Sequence, residues 1–161
     1  MEALSEEHRS AVVELFNHYV LNSFSAYFEQ ELPPQFFDRL LQMAKGYPSV
    51  AVRDDSGMLV GFGLLHAYHP APTFWQTAEA SYFLAPAHTG RGLGKLVLER
   101  LCEDARGMGI RSILASVSSR NGESISFHLK NGFRQVGRLE SVGRKFDTDF
   151  DVLWFQKDLS P

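Results

Sequence analysis

The stretch that decides the fold is His88-Thr89-Gly90-Arg91-Gly92-Leu93-Gly94-Lys95. Three of these residues are glycines, and the stretch lies between a strand-like segment and a long helical pattern. Glycine has no Cβ atom and lets backbone N–H groups approach an anion closely. The start of a helix adds unpaired N–H donors and about half a positive charge. The sequence therefore predicts a phosphate or pyrophosphate site at this turn, with Arg91 and Lys95 adding charge at its rim.

Two common nucleotide-binding patterns do not fit this turn. The P-loop requires Gly-x-x-x-x-Gly-Lys followed by Ser or Thr. Counting back from Gly94 places Thr89 at the first glycine, and Leu96 follows the lysine. The dinucleotide pattern Gly-x-Gly-x-x-Gly also fails, because its third glycine falls on Lys95 or Val97. A tight strand-to-helix turn without a ligand remains the alternative interpretation.

The composition is that of an ordinary soluble protein. The chain has 161 residues, 44% of them hydrophobic and 22% charged, which suits one domain over residues 1–161. A formal net charge of −3 provides no basic field for nucleic acid. No apolar run approaches the roughly 20 residues of a membrane helix, and the polar N-terminus is not typical of a targeting peptide. A single cysteine, Cys102, excludes an internal disulfide. We expect a cytoplasmic protein that binds neither nucleic acid nor a membrane.

Periodicity and turn residues predict four helices and six strands. The helices begin near Ser5 and Pro33-Pro34, and run over Gly92–Met108 and Gly122–Lys130. The strands are predicted at Val50–Arg53, Met58–Tyr68, Thr77–Leu84, Arg111–Val117, Phe133–Val142 and Asp149–Lys157. Helices and strands do not alternate regularly, so the order favours a mixed α/β sheet over a doubly wound fold.

A second motif lies downstream of the glycine turn. Its members are spaced as Asn-x-x-(small)-x-x-x-(Tyr or His)-x-x-x-Gly-Phe and are Asn121, Ser124, His128, Gly132 and Phe133. With both elements in this order, the sequence resembles the GNAT superfamily of acyl-CoA-dependent N-acetyltransferases. The pyrophosphate turn of that family reads Gln/Arg-x-x-Gly-x-Gly/Ala, and Thr89 replaces its leading Gln or Arg.

Within the superfamily, the chain is similar to the phosphinothricin and methionine sulfone/sulfoximine N-acetyltransferase group over nearly its whole length. The matching stretches are Phe16–Val20, Gly46–Pro48, Thr77–Glu79, His128, Val142–Lys145 and Asp151-Val152. The resemblance implies a single α/β domain of the α+β kind. Its twisted, mixed sheet would have about seven strands and flanking helices, with a short first strand near Glu2–Leu4 and a splay between the fourth and fifth strands.

The resemblance also implies a reaction. An acetyl group would pass from acetyl-CoA to the primary amine of a small molecule, such as phosphinothricin or methionine sulfoximine, in a ternary complex. The amine must lose a proton and the leaving thiolate can gain one. Glu79 aligns with the group's catalytic glutamate and would act as the base, directly or through a water. The alternative is a surface carboxylate at a strand end. His128 would be either the general acid or a residue that only packs.

The resemblance extends to binding residues. Contacts to acetyl-CoA are implied for Tyr82, Phe83, Leu84, Thr89, Gly90, Arg91, Gly92, Leu93, Gly94, Lys95, Asn121 and Ser124. Analogy places the acceptor pocket at Phe28, Glu31, His66 and Trp75, with packing or dimer contacts as the alternative for the aromatic residues. No metal is expected, because His66 and His69 lack a third ligand at a convincing spacing. A homodimer fits the family.

Three functions stay open at this level. The first is a small-molecule N-acetyltransferase, the second a protein or peptide N-acetyltransferase on the same fold, and the third a catalytically silent acyl-CoA-binding sensor. Relatives that act on acidic amino acids can carry arginines before the catalytic glutamate. The segment from Tyr68 to Ala78 has no Arg or Lys, and the nearest basic candidates, Arg144 and Lys145, lie on a distant turn. A less acidic acceptor or a different amine is therefore also an open interpretation.

Overall fold

A computed structural model describes residues 1–160 of the chain. It has four helices and six strands. The helices are α1 (Arg9–Asn22), α2 (Phe36–Met43), α3 (Leu93–Gly107) and α4 (Gly122–Lys130). The strands are β1 (Ser49–Arg53), β2 (Leu59–Ala67), β3 (Thr77–Leu84), β4 (Ser112–Ser118), β5 (Arg134–Lys145) and β6 (Thr148–Asp158).

The six strands form one sheet in the order β1-β2-β3-β4-β6-β5. All neighbours pair antiparallel except β3 and β4, which are parallel. The mixed sheet predicted from the sequence is therefore confirmed. The expected first strand is reduced to a single bridge between Glu2 and Ala51, which makes six strands where about seven were expected.

The helices lie on both faces of the sheet. On one face, α3 contributes Val97, Leu101 and Ala105 to a core that continues through β4 and β6. On the other face, α1 and α2 pack over β1 and β2 through residues such as Phe16 and Phe37. Since successive strand residues point to opposite faces, β3 directs Ala78 and Ala80 into the first core and Phe83 towards the second. Glu79 lies on the same face as Phe83.

The last two strands run beyond the predicted limits. A type I′-like turn joins them, with Phe146 and Asp147 both at positive φ. β5 was predicted to end at Val142, but it continues to Lys145 past a bulge where Ser141 also has positive φ. The Asp151 carboxylate accepts the Ser141 N–H at 2.7 Å. This side chain from the neighbouring strand supplies the partner that the ladder lacks at the bulge.

Candidate active site

The sheet opens between β3 and β4. Their parallel pairing consists of three residue pairs, from Thr77 with Ser112 to Glu79 with Leu114. Beyond Glu79, residues 80–84 have no neighbouring strand on that side. This free edge contains Tyr82, Phe83 and Leu84, three of the residues for which the resemblance implies contacts to acetyl-CoA. The carbonyl of Leu84 already accepts a hydrogen bond from the Tyr19 hydroxyl. If the bridge at Glu2 is counted as the first strand, β3 and β4 are the fourth and fifth strands of the expected fold. The splay expected between them is therefore present, and it begins at Glu79.

The glycine turn directly follows β3 and a short 3-10 turn over Pro86–His88. Gly90 and Gly92 adopt φ of 71° and 84°, a region that side chains disfavour, and open space surrounds both. Gly94 is glycine for a different reason, because a Cβ atom there would lie 3.2 Å from the Phe127 ring on α4. Gly92 is the N-cap of α3, so Leu93 begins the helix.

The turn presents free backbone donors. Within residues 1–160, no partner outside the turn accepts the amides of Gly90, Arg91 or Gly92, and the first turn of α3 adds unpaired N–H groups. Lys95 is exposed and lies 3.6 Å from Glu99, while Thr89 donates its hydroxyl to the Pro86 carbonyl. The backbone of this turn is thus suited to a pyrophosphate, whereas the Thr89 side chain is directed to its own turn.

Glu79 lies at the mouth of the splay with polar neighbours on three sides. The Ser116 hydroxyl of β4 donates to its Oε1 at 3.3 Å. His66 is its register partner on β2, so the two side chains stand side by side on the same face. Tyr27 is the third polar neighbour of Glu79. Burial raises the pKa of the Tyr27 hydroxyl, the Ser116 hydroxyl lowers it, and the Glu79 carboxylate raises it.

His128 is 3% exposed and has protein partners at both ring nitrogens. Nδ1 lies 2.7 Å from the Ser124 carbonyl, which fixes the proton on Nδ1, and Nε2 then accepts from the Tyr82 hydroxyl at 2.5 Å. Burial lowers the pKa of His128, and the bond to Ser124 opposes that shift. The imidazole stacks on Phe155, with the ring centres 5.5 Å apart.

Asn121 is the N-cap of α4. Its side-chain oxygen accepts the Ser124 N–H at 3.1 Å at the start of α4. Its amide nitrogen donates to the Ser25 hydroxyl at 2.9 Å, a residue 96 positions earlier in the chain. The residue therefore links α4 to the loop between α1 and α2, residues 23–35, which we call the α1–α2 loop.

The predicted acceptor residues are dispersed. His66 lies beside Glu79. Phe28, on the α1–α2 loop, packs edge-on against Phe16 and Phe36. Trp75 is 56% exposed and lies over Gly109 at the end of α3, and exposed Glu31 makes no ion pair within residues 1–160. The structure thus brings His66 to the candidate base, while Trp75 packs elsewhere.

Comparison with known proteins identifies the family. The model of the acetyltransferase (GNAT) family matches residues 12–133, which include both the glycine turn and the Asn121–Phe133 motif. The chain belongs to the GNAT family. This GNAT domain is 30% identical to the L-methionine sulfoximine/L-methionine sulfone acetyltransferase of Salmonella typhimurium, over 93% of this chain and 88% of that protein. It is 28% identical to the phosphinothricin N-acetyltransferase of Streptomyces coelicolor, over 96% and 92%.

A solved structure agrees with these relatives. The yncA protein of Salmonella typhimurium, whose structure was determined with its cofactor acetyl-CoA, superimposes with a TM-score of 0.90 at 27% identity. The alignment covers 99% of this chain and 92% of that one. The GNAT domain described here is accordingly an acyl-CoA-dependent N-acetyltransferase whose cosubstrate is acetyl-CoA. Within residues 1–160 no helix combines the length and apolar character needed to cross a bilayer.

Sequence reasoning missed two residues near Glu79 and the contacts that Lys145 makes. Tyr27 and Ser116 approach Glu79 from other elements, and Lys145 reaches into the α1–α2 loop. None belongs to the two motifs. A clue existed for Lys145 alone, because it ends one of the stretches shared with the phosphinothricin group. The contacts of Tyr27 and Ser116 depend on how the loop lies over the sheet.

Proposed function

We propose that this GNAT domain acetylates the α-amine of a small amino acid, with Glu79 as the general base. The observation that carries the proposal is the position of Glu79. It occupies the last paired position before β3 and β4 separate, on the strand that leads directly into the glycine turn. A thioester lying along the splay would come within reach of this half-buried carboxylate.

In this proposal the chain's own backbone holds acetyl-CoA. The amides of residues 90–95 would bind the pyrophosphate, aided by the positive end of α3. The free edge of β3, residues 80–84, would pair with the pantetheine amides. Neither contact needs a side chain at Thr89, which agrees with that residue's bond to Pro86. Both supports fix the thioester relative to Glu79 and lower the entropic barrier to transfer.

The chemical steps follow from these positions. Glu79 accepts a proton from the ammonium group of the acceptor, directly or through a water held with Ser116. The amine lone pair attacks the thioester carbon, the C–N bond forms, and the C–S bond breaks as the electron pair returns to sulfur. The nitrogen loses a second proton as it becomes an amide, and this proton passes to the CoA thiolate directly or through solvent, since a thiol has an ordinary pKa of about 8.5. The products are the N-acetylated amine and CoA thiol, and Glu79 returns its own proton to solvent.

We assign His128 a structural part in this reaction. Its Nδ1 proton is donated to Ser124 and its Nε2 accepts from Tyr82, so the ring has no free proton to give. Its burial favours the neutral form. His128 would thus fix Tyr82 beside the cofactor edge rather than protonate the leaving thiolate.

The acceptor that we favour has an uncharged, polar side chain, as in methionine sulfone. Aromatic rings border the surface near Glu79, where Tyr27 stacks on Phe150 at 5.8 Å. Nearby cations already have partners: Lys145 donates to two carbonyls, and Arg144 lies 2.8 Å from Asp149. A second anionic group, as in phosphinothricin, would therefore meet no free cation among these residues.

The direct test follows thiol release from acetyl-CoA across a panel of amines. The panel contains methionine sulfone, methionine sulfoximine, phosphinothricin and a peptide with a free N-terminus. We expect the highest kcat/KM with methionine sulfone and at least about tenfold less with phosphinothricin, since an unpaired charge is costly to bury. Preference for the peptide would favour the protein-acetyltransferase alternative. No release above background would favour the sensor.

We further infer a cytoplasmic homodimer. The edge strand β5 supports self-association because it exposes Val136, Leu139 and Val142, and a long edge of this kind invites pairing with another chain. The lone, buried Cys102 suits a reducing compartment. Light scattering on the purified chain would give a mass of two protomers if the inference holds and of one if it does not.

A further inference from the structure

Lys145 is a charged residue in an unusual place. It is 1% exposed, although a lysine is almost never fully buried unless it is paired. Its ammonium donates to the Ser23 carbonyl at 2.6 Å and to the Ala26 carbonyl at 2.7 Å. It also lies 4.7 Å from the centre of the Phe146 ring. Both acceptors belong to the α1–α2 loop, about 120 residues earlier in the chain.

Further contacts join the same two segments. The Glu29 carboxylate accepts the Phe146 N–H at 2.6 Å. Phe24 packs edge-on against both Phe146 and Phe150, at 5.8 and 5.7 Å. The α1–α2 loop is thus attached to the end of the β5–β6 hairpin, and the buried ammonium is the one charged group among these contacts that solvent does not reach.

The attached loop carries a residue of the site. Tyr27 directly follows Ala26, whose carbonyl Lys145 holds, and its ring stacks on Phe150. The Ser116 hydroxyl and the Glu79 carboxylate are close enough to influence the pKa of the Tyr27 hydroxyl, which the first lowers and the second raises. The position of Tyr27 relative to Glu79 therefore depends on how the α1–α2 loop is held.

We propose that Lys145 is a positioning residue, which holds the α1–α2 loop so that Tyr27 forms one wall of the acceptor site. The inference rests on the proposed function, because it takes the surface at Glu79 as the place where the amine binds. Lys145 touches neither substrate in this account. It acts through two backbone carbonyls, and its removal should affect acceptor binding while leaving the acetyl-CoA side intact.

The test uses Lys145→Met, which keeps the aliphatic stem and removes the donors. Lys45→Met is the matched control, since it makes the same change at an exposed lysine after α2. Tyr27→Phe removes the hydroxyl that the loop is proposed to place. For each full-length variant, amide hydrogen exchange is followed over residues 23–28 and over α3, and KM is measured separately for acceptor and for acetyl-CoA.

We expect Lys145→Met to speed exchange over residues 23–28 by about tenfold or more, with α3 unchanged. The acceptor KM should rise by about tenfold in Lys145→Met and severalfold in Tyr27→Phe, with the KM for acetyl-CoA within about twofold. Lys45→Met should match the wild type in its exchange rates and in both KM values.

Two results would overturn the proposal. Unchanged exchange over residues 23–28 in Lys145→Met would show that the lysine does not hold the loop. Faster exchange with an unchanged acceptor KM, or an unchanged acceptor KM in Tyr27→Phe, would show that the loop does not form the acceptor site. If the wild type acetylates no amine, the proposed function is wrong. The exchange rates over residues 23–28 still show in that case whether Lys145 holds the α1–α2 loop in place.

Discussion

At the scale of single residues, the glycines of the turn differ in what they do. Gly90 and Gly92 provide left-handed backbone in open space, whereas Gly94 makes room for the Phe127 ring. The sequence could predict a cradle of backbone amides because glycine spacing is local information. It could not separate the two uses of glycine, because the approach of Phe127 from α4 depends on how the helices pack.

A matched pair of substitutions tests the turn. Gly92 and Gly57 share a φ of 84° with open space around them, and Gly57 lies in the turn between β1 and β2. Changing either to Ala should lower the free energy of unfolding by about 1 kcal/mol, because a Cβ atom disfavours this conformation. Gly92→Ala alone should raise the Kd for acetyl-CoA, by about tenfold. Urea unfolding measures the stability of each variant, and calorimetric titration measures its Kd for acetyl-CoA. If Gly57→Ala and Gly92→Ala changed this Kd equally, the turn would have no specific role in binding the cofactor.

His128 predicts a pH dependence of stability. Burial places its folded-state pKa below the ordinary 6.5, so the unfolded chain takes up the proton first. The stability that the neutral ring contributes is complete above about pH 6.5 and declines as pH falls towards the folded pKa, by at most about 1.4 kcal/mol per pH unit.

The measurement compares the wild type with His128→Gln in urea at several pH values. The difference in their free energies of unfolding should narrow between about pH 6.5 and 5. His18→Gln, at an exposed position on α1, is the control for the loss of a histidine. A constant difference between wild type and His128→Gln would mean that burial does not hold this ring neutral.

At the scale of elements, the end of the β5–β6 hairpin is shaped by one close contact. A Cβ atom at Gly143 would lie 2.2 Å from the Phe150 ring, its register partner on β6. Gly143→Ala should therefore lower the free energy of unfolding by about 1–3 kcal/mol, since the ring must move. In a Phe150→Ala background the same change should have little effect, and this coupling is measured by a double-mutant cycle. Additive losses would show that the two residues do not compete for space.

The elements were predictable to different degrees. β3 and α4 were predicted at the observed residues, and α3 within one or two, because glycine, proline and Asn121 mark their limits locally. β5 was predicted three residues too short. Its bulge is stabilised by the Asp151 carboxylate of the neighbouring strand, and such a contact has no signature in the sequence of β5 itself. Likewise, α2 begins at Phe36, not at Pro33, since the Pro33 carbonyl closes a preceding turn with Phe36.

At the scale of the whole molecule, the two proposed binding sites arise differently. The acetyl-CoA site follows from the fold, whereas the site for the acceptor amine depends on packing between distant segments. The splay and the glycine turn follow from strand order, so a family resemblance was sufficient to predict them. The proposed acceptor side combines Tyr27 on a loop, Glu79 on β3, Ser116 on β4 and Lys145 at the end of β5. These residues come together only in the folded chain, which is why the sequence predicted neither Tyr27 nor Ser116, and named Lys145 only as a basic residue on a distant turn.

The central claim is that Glu79 removes the proton from the acceptor amine, and the pH dependence of Glu79→Gln tests it most directly. The measurement is kcat/KM for the acceptor from about pH 6 to 10, with the Kd for acetyl-CoA as the control. At neutral pH we expect Glu79→Gln to lower kcat/KM by about a hundredfold or more. The loss should shrink as pH passes about 8, the ordinary pKa of an α-amino group, where the amine no longer needs a base. The Kd for acetyl-CoA should stay within about twofold. A variant as active as the wild type at neutral pH, or a loss that does not change with pH, would contradict the claim.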